Sequence, residues 1–162
     1  MVIRLAEDRS LFTFTTDNEG TVVFVVGDGR LTLEQPHRPY GLLIVDAFSS
    51  DAIPTHLITL EALRAYLDAI TSDGVIAFHI SNRHLDLEPV IGRLSAELGL
   101  ASRVTHSQPT SSDEAAVSVV ALARSVDQLG AIAQDPAWVA PRVGRSLWTD
   151  NFSDLLSVVR LG

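Results

Sequence analysis

Short apolar runs alternate along the chain with longer amphipathic stretches. Residues 21–26 (TVVFVV) are β-branched and bounded by turn residues, which predicts a strand. Tyr40–Val45 (YGLLIV) and residues 75–80 (VIAFHI) are continuous apolar runs of strand length. Both read as strands buried on both faces. Between them, Leu57, Leu60, Leu63, Ala65, Tyr66, Leu67 and Ile70 recur at helical spacing over residues 55–70, with Thr59 placed to cap the main body. Asp73-Gly74 reads as a turn. Residues 86–98 predict a helix stopped by Gly99. Residues 1–8 read as the end of a helix and 30–34 as a short helix. Residues 100–105 and 115–123 read as strands, 125–133 as a helix capped by Ser125, and 154–161 as a final short helix or strand. Strands alternating with helices predict an α/β fold with a mostly parallel sheet, the last strands forming an antiparallel edge pair.

The segment YGLLIVDAFSSDAIP at residues 40–54 carries the densest chemical signal. Its apolar run ends on Asp46, and a small polar loop follows, with Asp51 and then Pro54. In an open parallel sheet the ligand crevice lies just beyond the carboxyl ends of the strands, so both carboxylates fall where such a fold works. For Asp51 the competing reading is a turn or helix cap. Gly27-Asp28-Gly29 also follows an expected strand. Its glycines would let backbone approach a ligand, and its carboxylate would accept hydrogen bonds from an amine or ribose. His79 closes the third strand and reads as a hydrogen-bonded structural residue. His79 and His84 lack a zinc spacing, His56 falls where a lid would sit, and His37 and His106 read as surface residues. Trp148 and Phe152 flank Asp150, an arrangement read as a pinned tail rather than a cation-binding wall.

Composition narrows the possibilities. The 162 residues suffice for one domain with its own core, and 46% are hydrophobic. A formal charge of −8 argues against nucleic acid and suits a cationic ligand. All twelve basic residues are arginine, so neither Schiff-base chemistry nor a lysine-dependent phosphate loop is open to the chain. Without cysteine there is no disulfide framework, thiolate nucleophile or cysteine zinc site, which fits a cytoplasmic protein. No G-x-G-x-x-G, P-loop or G-x-S-x-G motif occurs.

Four segments together carry a family resemblance: GDGRLTLE, YGLLIVDAFSSDAIPTHLITLEALRAYL, DGVIAFHISNRHLDLEPVI and SLWTDNFSDLL. From Met1 to Leu156 the chain resembles spermidine synthase-like proteins, above all the bacterial branch often fused behind a membrane transporter-like region. The resemblance implies a Rossmann-like fold of the S-adenosylmethionine-dependent methyltransferase type. It also implies transfer of an aminopropyl group from decarboxylated S-adenosylmethionine to putrescine or a similar amine, without a metal. Asp46 would be the catalytic carboxylate. Gly27, Asp28, Gly29, Asp46 and Ala47 would line the donor site, with Asp28 on the adenine amine, and Asp51 and Asp150 would meet the amine. The standard enzymes carry a tighter D-S-S-D loop, which Ala47 and Phe48 widen here.

MVIRLAED resembles the family's segment just after the acidic residue that holds the donor's ribose. The resemblance therefore implies a single partial domain over residues 1–162, lacking the first two strands and the glycine-rich donor loop, with weak or no turnover alone. Its expected remedy is that strand 21–26 pairs directly with Tyr40–Val45, or that a second chain, as in a homodimer, fills the gap. A membrane region upstream is a further expectation. The alternatives are a methyltransferase-like domain using S-adenosylmethionine, and a non-catalytic dimerising or docking module.

Overall fold

Two parallel strands joined by a helical crossover form the centre of the structure, a computed structural model that describes residues 2–15, 17, 19–48, 53–108 and 116–160. Strand β1 (Tyr40–Val45) leads through a single 3₁₀ turn (Thr55–Leu57) into helix α3 (Leu60–Ala69), and the chain returns as β2 (Ile70–His79). Before them come two five-residue helices, α1 (Val2–Ala6) and α2 (Gly29–Leu33). Helix α4 (Glu88–Glu97) then precedes β3 (Ala101–Ser107) and β4 (Val117–Ala123). The sheet order is β1-β2-β4-β3; β1 and β2 are parallel, while β4 runs antiparallel to both β2 and β3. The class is α/β with a mixed sheet. The expected antiparallel edge is present, but a mostly parallel sheet is not, because only one of the three pairings is parallel.

The missing parallel strand is the one expected at residues 21–26. That segment forms no ladder among the described residues, and Val23 and Val26 are 74% and 84% exposed. Strand propensity expresses a fit to a pleated, half-buried surface, and no such surface receives these side chains. Direct pairing with β1 does not occur, so β1 is an edge strand among the described residues. It is also not buried on both faces as its composition suggests: Leu42 and Ile44 are 56% and 61% exposed. Leu43 and Val45, on the other face, pack toward the core.

That core lies on one side of the sheet. Ile76, Phe78, Val120 and Leu122 meet Leu60, Leu63 and Tyr66 of α3 and Val90, Ile91 and Leu94 of α4. The opposite side carries a smaller cluster, in which Ala121 and Ala123 pack against Leu129 of the 3₁₀ segment Asp127–Ala133. That segment is not the expected single helix. Gly130 breaks it at φ 54°, and Val126 rather than Ser125 stands at its start. Thr59 does cap α3, accepting from the Ala62 N–H at 3.1 Å, and Gly99 takes its left-handed position at φ 64°. The Asp73-Gly74 turn is absorbed into β2 as an irregularity. The register steps from Tyr40↔Ile70 to Leu42↔Val75, and a side chain on Gly74 would press on Ile70 and the Tyr40 carbonyl.

The C-terminal stretch is fastened to the helices by polar contacts. Glu88 is 3% exposed; it accepts from the Arg142 backbone N–H at 2.7 Å and from its guanidinium at 2.8 Å, while His106 Nε2 lies 3.2 Å away. Trp148 is fully buried, and its carbonyl accepts from the Leu60 N–H, which pins the tail to the start of α3. Phe152, expected to share this task, is exposed. Residues 155–158 form a 3₁₀ turn capped by Asp154. Among the described residues no helix is long and apolar enough to cross a membrane.

Burial pushes the Glu88 carboxyl up, but the hydrogen bonds and charge of Arg142 outweigh it and hold the group below its ordinary value of 4.5. A carboxylate depressed in the folded state stabilises the fold fully above its unfolded pKa and loses that contribution as pH falls through the folded one. Glu88→Gln should therefore lower the unfolding free energy at pH 7 by about 2–3 kcal/mol. The deficit should shrink below pH 4.5. Urea titrations at pH 7 and pH 3.5 measure both; an equal deficit at the two pH values would contradict this account.

Candidate active site

Asp46 and His79 meet because of the β1–β2 register. Val45 lies opposite Phe78, so Asp46, just past β1, stands beside His79, the last residue of β2. Alternation turns both away from the main core, onto the face shared with Leu42 and Ile44. His79 Nδ1 lies 2.7 Å from Asp46 Oδ1; the Asp46 side chain is 57% exposed and that of His79 27%. His79 Nε2 is buried and has no hydrogen-bond partner. The loops behind are tied together by Asn82, whose Nδ2 donates to the Phe48 carbonyl at 2.6 Å and whose Oδ1 accepts from the His84 and Leu85 N–H groups. DAF after β1 and HISN after β2 thus form one structure. Sequence reasoning left His79 as structural; the signal that would have paired it with Asp46 was the equal position of each at the end of a neighbouring strand.

The Gly27-Asp28-Gly29 loop packs against the residues that lead into α3. Asp28 caps α2, accepting from the Leu31 N–H at 3.0 Å, and its Oδ2 lies 2.9 Å from His56 Nε2. The Leu31 hydrogen bond is the main reason its carboxyl titrates below the usual range, with His56 adding to it. A side chain on Gly27 would crowd Thr32, whereas Gly29 faces open space. Ala47 is partly buried against the core. Asp51 lies outside the described residues.

Asp150 is already committed to a cation. Arg30 grips both its oxygens, at 2.7 and 2.8 Å, and Thr59 Oγ1 adds a third bond at 2.7 Å. The Arg30 fork holds the Asp150 carboxyl below its ordinary value and raises the guanidinium in turn. Arg30 also donates to the His56 carbonyl at 3.3 Å. Asp28, His56, Arg30, Thr59 and Asp150 therefore form one polar ring, in which each carboxylate has a partner. Asp46 differs, with one oxygen held and the other open.

The fold and site together define an α/β protein with a carboxylate–imidazole pair at the carboxyl ends of two parallel strands. No protein-family model and no curated protein matches the chain.

The ring carries its own prediction. Arg30→Ala should destabilise the protein by about 1–3 kcal/mol, the worth of hydrogen bonds to a charged group. Arg30→Lys should recover less than half of that, because an ammonium cannot reproduce the two-pronged grip. The urea midpoint reads both variants; a lysine variant as stable as the parent would show that the fork geometry is immaterial.

Proposed function

We propose that this chain is an aminopropyltransferase-type domain, in which Asp46 meets a polyamine such as putrescine and decarboxylated S-adenosylmethionine is the co-substrate. The observation that supports it best is the Asp46–His79 pair, with the Asp46 side chain 57% exposed at the end of a parallel strand pair. The mixed α/β sheet is compatible with a Rossmann-like fold. The net charge of −8 favours approach of a cation.

The chemistry asks little else of the chain. The amine nitrogen must lose a proton before it can attack, and a carboxylate both attracts the ammonium and accepts that proton. The new N–C bond forms as the carbon–sulfur bond breaks, and the bonding pair returns to sulfur as a neutral thioether. Asp28 reaches a donor through Oδ2 only if His56 moves off it. Asp150 would receive an amine only in place of Arg30. Asp46 therefore bears the amine contact in this reading. No G-x-G-x-x-G loop occurs in the sequence.

One observation favours a second reading, a docking module. Among the described residues the outer edge of β1 is unpaired and its Leu42 and Ile44 face is uncovered, an invitation to another strand.

Asp46→Asn separates the two. Calorimetry with putrescine at low ionic strength should show binding weakened about tenfold, the loss of one charge-assisted contact. Any aminopropyl transfer from the labelled donor should fall at least 100-fold, as expected for a missing general base. Putrescine binding untouched by the substitution would sink the catalytic reading. Methyl transfer from S-adenosylmethionine without aminopropyl transfer would replace it with the methyltransferase alternative.

A further inference from the structure

We propose that His79 is a positioning residue for Asp46, locked as its Nδ1–H tautomer and closed to the substrate. The inference rests on the reading of Asp46 as the group that meets the amine. Its own basis is the geometry of the ring. Nδ1 faces a solvent-exposed carboxylate at 2.7 Å, a short, charge-assisted contact that needs the hydrogen on the histidine side. At the other end of the ring, Nε2 is buried without a partner. An N–H there would be an orphan donor out of reach of water, which is unfavourable. Both ends of the ring therefore select the same form, with hydrogen on Nδ1 and a lone pair on Nε2.

Three consequences follow for the site. The imidazole cannot accept a proton from Asp46 at Nδ1, because that nitrogen already carries one. Nor can it present Nε2 to a ligand, because that nitrogen is walled in. A proton given up by an ammonium thus goes to Asp46 Oδ2, converting carboxylate to carboxylic acid and ammonium to amine, and leaves to solvent from the exposed carboxyl. His79 holds Oδ1 still so that Oδ2 keeps one direction. Its backbone is paired with β4, opposite Val119, one residue beyond the last β1 partner Phe78, so the ring has a fixed base from which to do this.

The test uses His79→Ala and two amide replacements that differ in where they place an N–H. His79→Asn carries its amide near the position of Nδ1, and His79→Gln near that of Nε2. Nitrogen-15 NMR of the wild-type ring should show hydrogen on Nδ1 and a bare Nε2. The Asp46 carboxyl carbon resonance should stay near its wild-type position in the asparagine variant and move in the glutamine and alanine variants. Putrescine affinity should follow the same order, with asparagine within about threefold of wild type and glutamine and alanine about tenfold weaker, the worth of one hydrogen bond. A ring protonated at Nε2, or a glutamine variant that restores Asp46 as well as asparagine does, would overturn the inference whatever the chain binds. If wild type binds no putrescine while the tautomer and the asparagine rescue hold, the positioning role stands and the amine reading of Asp46 fails.

Discussion

The parallel pairing of β1 with β2 is the constraint on which the rest depends. A parallel register fixes which residues leave the two strands together, and here it delivers Asp46 and His79 to the same end and the same face. Slipping the register by one residue would turn one of them to the opposite side. The register is guarded from both ends. Leu43 and Val45 must face the α3–α4 core, and the irregularity at residues 71–74 takes up the extra length of β2 before the aligned stretch begins. Beyond the strands, Asn82 joins the two loops through the Phe48 carbonyl. Core packing, a bulge and one amide thus set the geometry of a single carboxylate.

The other acidic residues near this end of the sheet show what Asp46 is spared. Asp28 spends one oxygen on a helix cap and the other on His56. Asp150 spends both on Arg30 and shares one with Thr59. These pairs hold the loop before α2, the entry to α3 and the C-terminal tail against each other across large separations in sequence. They stabilise the surroundings of the site by removing free carboxylates from it. The chain is strongly acidic, yet of the described residues Asp28, Asp46 and Asp150 it is Asp46 that has a single oxygen engaged.

Much of the fold was legible in the sequence because local chemistry decided it. Thr59 and Gly99 end their helices for reasons that need no tertiary context, namely a side-chain acceptor and a permissive backbone. β1, the second half of β2 and β4 announce themselves by apolar runs, whereas β3 (ASRVTHS) is mostly polar. What failed was partnership. TVVFVV has the composition of a strand and no neighbour to pair with, while YGLLIV looks doubly buried and is covered on one side. Composition records the surface a residue suits, whereas burial depends on what the rest of the chain supplies. The same blindness hid the role of His79. A histidine after an apolar run is unremarkable until the register sets it next to Asp46. Asp150 shows the same dependence on distant partners: Arg30, 120 positions earlier, holds both its oxygens.

The uncovered face of β1 and the Asp46–His79 pair belong to one surface, and this links stability to chemistry. Leu42 and Ile44 point the same way as Asp46 and stand in line with it along the strand. Their exposure, with the bare edge beside them, leaves apolar area in water and backbone groups without partners from the sheet. A strand added at that edge would pair the backbone, and its side chains would cover Leu42 and Ile44. In the same act it would wall in the open side of Asp46. Fewer waters around Oδ2 would strengthen its attraction for an ammonium, since a pair of charges interacts more strongly as the surrounding dielectric falls. It would also raise the cost of leaving that carboxylate unpaired. Covering the edge would thus tighten the sheet and sharpen the site together, because the register that exposes one exposes the other.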